Sequence, residues 1–385
     1  MHTDRRRDAA TASTPSTPTS PTTRLGSGRL APLDGIRAIA ALAVVAFHLG
    51  IGAAGGGFVG VDWFFVLSAF LVGTLLLDQL DRTGDIDLGR FYRRRAGRLV
   101  PALVVMVGVM LVAVAALVPS LLGDASKEAL AAVTYLSNLT TFGVPELTSF
   151  FEHTWTLSLE MQFYLALPFV LRWVRRHGWR DGGVAAWAAA AAVVVAGLHC
   201  ALLAAWPGHW LVERMPLFDT SRFAMGLALA FALRDGALVR LGAVLAHGWL
   251  AMVCGLLMLA DLDLARFVSA TWVPMHSLAI GVLVAIVLGH VVTQPEAVLA
   301  RLLSLRPLVT VGLMSYSLYL WHFPILTLLE EGVLIDGHTG LRFALKVVAT
   351  TVATWVSWRF VESWSSRRSA RGRTVSSDMH TVSPA

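Results

Sequence analysis

Arg37 and His48 stand eleven residues apart in LDGIRAIAALAVVAFHLG, residues 33–50, with only apolar residues between them. At about 100° per residue the interval falls within about 20° of three whole turns, so a helix would carry both on one face, separated by about 16 Å of rise. An imidazole of near-neutral pKa suits proton abstraction from a hydroxyl, and a guanidinium suits an anionic or polar group. Asp62 follows beyond a glycine-rich turn, GIGAAGGGFVG, with His48 and Asp62 each seven residues from Gly55. An antiparallel helix pair would return them to similar depth, where a carboxylate can orient an imidazole. The alternative is an interfacial histidine bonded to a carbonyl and an aspartate capping the next helix.

Three further groups carry polar chemistry. FYRRRAGRLVPAL, residues 91–103, puts Arg94 and Arg98 at i and i+4, with Arg95 between them. Their guanidinium forks match phosphate, although arginines beside anionic lipid give the same pattern. In FEHTWTLSLEMQFYLALPFVL, residues 151–171, His153 and Glu160 are two turns apart on one face, with Trp155 and Gln162 near them. A carboxylate there needs a partner or a wet cavity, and Arg222 is the expected mate if its role is a structural salt bridge. In SYSLYLWHFPIL, residues 315–326, Ser315, Tyr319 and His322 form a polar stripe, and Pro324 should kink the helix just beyond. The stripe reads equally as a hydrogen-bonded helix interface.

The elements that would position these residues are membrane spans. Of 385 residues 56% are hydrophobic and 15% charged, whereas ordinary soluble chains carry about 25% charged residues. Apolar windows at 33–52, 58–78, 99–119, 155–174, 183–205, 216–234, 241–260, 274–292, 308–329 and 341–361 each approach the ~20 residues a bilayer requires. The reading is an all-α polytopic membrane protein of about ten spans. Arginines concentrate in alternate segments, so the positive-inside rule puts both termini in the cytoplasm, and the net charge of +6 reflects topology rather than nucleic acid. Residues 1–30 and 365–385 read as disordered cytoplasmic tails flanking a transmembrane domain over 31–364, with no appended soluble domain expected. The two cysteines, Cys200 and Cys254, both fall inside spans, so neither a disulfide framework nor a metal site is expected.

Taken in order, LDGIRAIAALAVVAFH, GVDWFFVLSAFL, FYRRRAGRLVP, HTWTLSLEMQFYL, SRFAMGLALA, SYSLYLWHFPI and a terminal FVE resemble the acyltransferase-3 family of bacterial integral membrane O-acyltransferases. The resemblance covers nearly the whole chain outside the tails. It implies ten core spans and transfer of an acyl group, commonly acetyl, from cytoplasmic acyl-CoA to a hydroxyl of a glycan, lipid or secondary metabolite. No permanently bound cofactor is implied. The family's arginine–histidine pair falls on Arg37 and His48, its acidic residue on Asp62 and its basic cluster on Arg94, Arg95 and Arg98. Its tryptophan–glutamate motif falls on Trp155 and Glu160, and its late tyrosine and histidine on Tyr319 and His322. Two positions depart from the pattern: Ala69 replaces a usual glycine, and Ser363 and Trp364 replace a usual Arg-Pro.

These readings combine into one expectation. Arg94, Arg95 and Arg98 hold the nucleotide end of acyl-CoA and Arg37 contacts the donor deeper in. His48 acts on the acceptor hydroxyl with Asp62 orienting it, or carries the acyl group itself. Glu160 is the third catalytic candidate, while His153, Trp155, Arg222, Tyr319 and His322 shape the acceptor site or the scaffold. The competing class is a secondary transporter whose intramembrane His, Glu and Arg relay protons. No inverted repeat supports it, and the basic cluster sits at the surface rather than the midplane.

Overall fold

The computed structural model describes residues 30–140, 150–209, 212, 216–235, 248–331 and 339–363. The two tails expected from the sequence, apart from Leu30, therefore lie outside the described residues. Among those described, the chain is helical with no strand. The helices are α1 (Ala31–His48), α2 (Gly60–Thr83), α3 (Leu88–Leu117), α4 (Leu122–Val133), α5 (Trp155–Arg176), α6 (Asp181–Ala205), α7 (Pro216–Arg234), α8 (Gly248–Leu264), α9 (Val273–Thr293), α10 (Val298–Leu303), α11 (Arg306–Glu331) and α12 (Thr339–Val356). Seven segments, built on α1, α2, α3, α6, α8, α9 and α11, are long and apolar enough to cross a membrane. The other three expected spans correspond to α5, α7 and α12, which have 22, 19 and 18 residues. Charged residues fall within them: Glu160, Arg172, Arg175 and Arg176 in α5, Asp219, Arg222 and Arg234 in α7, and Arg342 and Lys346 in α12. The protein is a polytopic all-α membrane protein.

Burial follows from which helices touch lipid. α2 packs against α1, α5, α7 and α9, and buries Val66, Leu67, Phe70, Leu76 and Leu77 almost completely. α6 instead exposes Trp187, Val193, Val194 and Leu198, as a helix with lipid on one side should. The expected glycine-rich turn folds as two short 3₁₀ turns, Gly52–Ala54 and Gly57–Val59. Gly57 and Gly60 face the carbonyls of Ala43 and Ala40, where any side chain would collide, so α1 and α2 meet backbone to backbone. The turn is anchored by Gly56 N–H donating to the Leu262 carbonyl at 2.6 Å and by Arg266 donating to the Gly52 carbonyl at 2.8 Å.

The departure at Ala69 is absorbed by its neighbour. Gly226 of α7 lies against the Val66 carbonyl, and a Cβ there would come within 2.8 Å of the Ala69 methyl. The close crossing is kept by placing the glycine on the facing helix. One boundary differs from the sequence reading. α3 begins at Leu88, capped by Asp87 accepting from Arg90 N–H at 2.9 Å, so the arginine cluster rides on the helix itself rather than preceding it. α11 continues as a helix on both sides of Pro324, and the carbonyl that the proline leaves without its helical partner has a use of its own, described below.

Candidate active site

His48, on the last turn of α1, places Nδ1 2.9 Å from the Val44 carbonyl and 3.3 Å from His322 Nε2. His322, fully buried on α11, places its own Nδ1 2.7 Å from the Tyr319 carbonyl and 3.2 Å from that of Leu318. A carbonyl only accepts, so Nδ1 of His322 carries the proton and its Nε2 offers a lone pair. His48 must then donate from Nδ1, shared between Val44 O and His322 Nε2. The nitrogen left with a lone pair for chemistry is His48 Nε2.

A third imidazole completes the cluster. His153 sits in a 3₁₀ turn, Glu152–Thr154, just before α5. Its Nε2 donates to the Leu320 carbonyl at 3.2 Å. That carbonyl is the one Pro324 cannot serve, because proline four residues on has no N–H. The proline inside α11 therefore supplies the acceptor that fixes the His153 tautomer. The His48 and His322 rings are 5.1 Å apart and those of His153 and His322 5.6 Å, with Phe323 stacked on His153 at 5.2 Å and edge-on to His48 at 5.1 Å.

Two of the expected pairings change. Asp62 is not on His48: its Oδ1 lies 2.5 Å from Nε of Arg222, which also bonds Asp219 and donates to Ser277 Oγ at 2.9 Å. The reason is register. Asp62 lies on the face of α2 that meets α7, while the His48 ring turns toward α11. Glu160 in turn does not meet Arg222. It accepts from Ser68 Oγ and, at 2.5 Å, from the hydroxyl of Tyr164 one turn along α5. His153 and Glu160 also part company, since His153 precedes α5 rather than lying on it.

These side chains divide between two cavities. One is lined by His48, Asp62, Glu152, His153, Trp155 and Arg222 together with the aromatic rings of Phe47, Phe58 and Phe323. The other is lined by Arg37, Glu160, Ser315 and Tyr316 with Phe64 and Phe65. Arg37 and His48, on one uninterrupted helix and expected on one face at two depths, thus open into different chambers. Val61, Thr156 and Tyr319 line both. His322 lines neither and stands behind His48.

The arginines of α3 also separate. Arg94 and Arg98 are exposed one turn apart, while Arg95 is half-buried with its guanidinium 4.9 Å over the Tyr164 ring and 5.9 Å from that of Phe91. Of the partners not anticipated, Tyr164 was readable as the i+4 neighbour of Glu160. Asp219 was readable in the same way, three residues before Arg222 on α7, whereas Ser68 and Ser277 come from other helices and leave no sequence signal. Among the described residues no cluster of His, Cys, Asp and Glu could hold a metal ion.

An acyltransferase domain family model matches residues 30–359. The chain is 30% identical over 374 residues to the peptidoglycan O-acetyltransferase OatA of Listeria monocytogenes, covering 89% of this chain and 56% of that protein. It is 27% identical over 366 residues to the O-acetyltransferase OatA of Staphylococcus aureus, covering 88% and 58%. Identity to the putative peptidoglycan O-acetyltransferase YrhL of Bacillus subtilis is 30% over 348 residues, 86% of this chain and 54% of the relative. The chain thus spans little more than half the length of these relatives. No solved structure matches it.

Proposed function

We propose, because the chain belongs to the acyltransferase-3 family, that it moves an acyl group from a coenzyme A thioester to a hydroxyl of a cell-envelope glycan. The observation that carries this reading is the pair of chambers opened by Arg37 and His48 on one helix and both lined by Val61, Thr156 and Tyr319. With the N-terminus cytoplasmic, Arg94 and Arg98 stand at the cytoplasmic end of α3, where guanidinium forks suit the donor's phosphates. The pantetheine arm enters the Arg37 chamber. The acceptor enters the His48 chamber, where Trp155, Phe47 and Phe58 offer faces for a sugar ring. Relatives named for peptidoglycan make a glycan the acceptor class of choice, and acetyl the acyl group.

In the reaction the acceptor oxygen attacks the thioester carbonyl while His48 Nε2 takes its proton. The imidazolium that forms keeps its Nδ1–H on Val44 O and His322 Nε2. Collapse breaks the C–S bond, and the thiolate takes the proton back from His48. Asp62 serves by holding Arg222 and the wall of the acceptor chamber, not by touching the base.

The test uses purified protein in nanodiscs with radiolabelled acetyl-CoA and solubilised peptidoglycan fragments. Wild-type protein should transfer label to the fragments. His48→Ala should abolish transfer while retaining acetyl-CoA affinity, and Arg37→Ala should weaken affinity as well as turnover. Loss of donor affinity in His48→Ala equal to that in Arg37→Ala would overturn the two-chamber division.

A further inference from the structure

Attack on a thioester places negative charge on the carbonyl oxygen, and a buried site must supply a donor to that oxygen. In the reading above the thioester comes from the Arg37 chamber and the hydroxyl from the His48 chamber, so the reacting carbon lies at their shared wall. Among the described residues, only Val61, Thr156 and Tyr319 line both chambers. Val61 has no donor in its side chain, which leaves the two hydroxyls.

Their hydrogen bonds leave a proton to spare. Tyr319 O–H is 2.9 Å from the His153 carbonyl, Thr156 Oγ1 is 3.1 Å from the same carbonyl, and the two hydroxyl oxygens are 2.7 Å apart. Two protons are shared over three contacts. With Thr156 donating to the His153 carbonyl, that acceptor stays satisfied and the Tyr319 proton is released to turn toward the wall. The phenol ring does not have to move, because it is packed against His153 at 5.6 Å and Phe64 at 6.3 Å, and only its O–H torsion changes.

We propose that the Tyr319 hydroxyl is a catalytic residue donating to the thioester carbonyl oxygen in the transition state, and that Thr156 is the positioning residue that frees it to do so. The assignment rests on the acyl-transfer reading. As the acceptor C–O bond forms, the carbonyl π pair moves onto oxygen and is held by Tyr319 O–H. The pair returns as the C–S bond breaks, the acceptor proton having gone to His48. The donor is needed equally whether the attacking atom is the acceptor oxygen or His48 Nε2.

The experiment compares Tyr319→Phe, Thr156→Val and Thr156→Ser with wild type, measuring kcat, KM and the dissociation constant of acetyl-CoA with solubilised peptidoglycan fragments as acceptor. Tyr319→Phe keeps the ring packing, so kcat should fall about 10²–10³-fold, the usual loss for one oxyanion donor. Acetyl-CoA affinity should stay within about twofold, since the bond is made only in the transition state. Thr156→Val should cost about 2- to 10-fold in kcat, the scale of one neutral hydrogen bond, and Thr156→Ser should restore wild-type turnover. A Tyr319→Phe enzyme with wild-type kcat overturns the assignment. So does one whose donor affinity falls in step with its rate, which marks a structural role. Wild-type protein that leaves acetyl-CoA unconsumed overturns the acyl-transfer reading as well, and the wild-type arm alone reveals that case.

Discussion

Removing either side of the Asp62–Arg222 pair separates a scaffold role from an orienting one. The side chains are 6% and 12% exposed, and Arg222 is shared with Asp219, which is 23% exposed. Arg222→Ala leaves two carboxylates without their cation, one of them fully enclosed, and should destabilise by about 3–5 kcal/mol. Asp62→Ala leaves Arg222 bound to Asp219 and Ser277, so its cost is nearer that of one unsatisfied buried group, about 1–3 kcal/mol. The double variant should cost less than the sum, because Asp62 is no longer stranded when Arg222 goes. Unfolding in mixed micelles, followed by tryptophan fluorescence, measures all three and their coupling. Turnover supplies the second arm. A carboxylate that orients a catalytic imidazole costs about 10⁴-fold in kcat when amidated in serine proteases. Asp62→Asn here should lose far less, because Val44 O and His322 Nε2 hold the His48 tautomer. A loss of that size in Asp62→Asn with unchanged stability would refute the reasoning and return Asp62 to His48.

Other outcomes follow from single contacts. Arg98→Lys keeps the charge but loses the planar fork, so acetyl-CoA affinity should fall while insertion into the membrane is unchanged; equal affinity would make the cluster a topology signal alone. Pro324→Ala restores an N–H that competes for the Leu320 carbonyl, so the ¹⁵N spectrum of His153 should lose its single Nε2–H tautomer, and kcat should drop without loss of helix. Asp85, in the loop between α2 and α3, has its carboxyl held below the ordinary range by the Ile86 backbone N–H and then by Arg172, whose Nε and Nη2 reach it at 2.6 and 2.7 Å. A depressed pKa means that this contribution is complete above the unfolded value of about 3.9 and is lost as pH falls through the folded one. The stability difference between wild type and Asp85→Asn should therefore be constant near neutrality and vanish in acid.

What could be read in the sequence was what depends on one helix. Periodicity placed Arg37 and His48 on a common face at two depths, Arg94 and Arg98 one turn apart, and most of the long helices within a few residues of their observed ends, whereas α3 begins eleven residues before its expected window and the first seven residues of the window expected at 241–260 lie outside the described residues. What could not be read was which face meets which neighbour. Asp62 and His48 return to the same end of the molecule, as the turn length required, yet rotation of α2 delivers the carboxylate to α7. Glu160 finds Ser68 across 92 residues of sequence. The proline at 324 was read by its usual effect on a helix, whereas here the missing N–H matters more than any bend, because it hands a carbonyl to His153. Tyr319 was placed on the correct stripe, but its position on the wall of two chambers depends on α2 and α5 as much as on α11.

The three imidazoles share one device, and it bears on why, among the described residues, no carboxylate is hydrogen-bonded to His48. Each directs an N–H to a backbone carbonyl: His48 to Val44, His153 to Leu320 and His322 to Tyr319. A carbonyl orients a neutral ring without burying a charge, whereas an aspartate in the same place would carry a desolvation cost of several kcal/mol. The same choice withholds the stabilisation that a carboxylate gives to an imidazolium. In the proposed reaction the charged form of His48 must therefore be short-lived, formed as the acceptor oxygen bonds to carbon and discharged onto the departing thiolate. A base of this kind works best where the carbonyl oxygen receives its own donor, since the proton can then leave the acceptor late, once that oxygen already bears the developing charge. The hydroxyl of Tyr319 stands where such a donor is required.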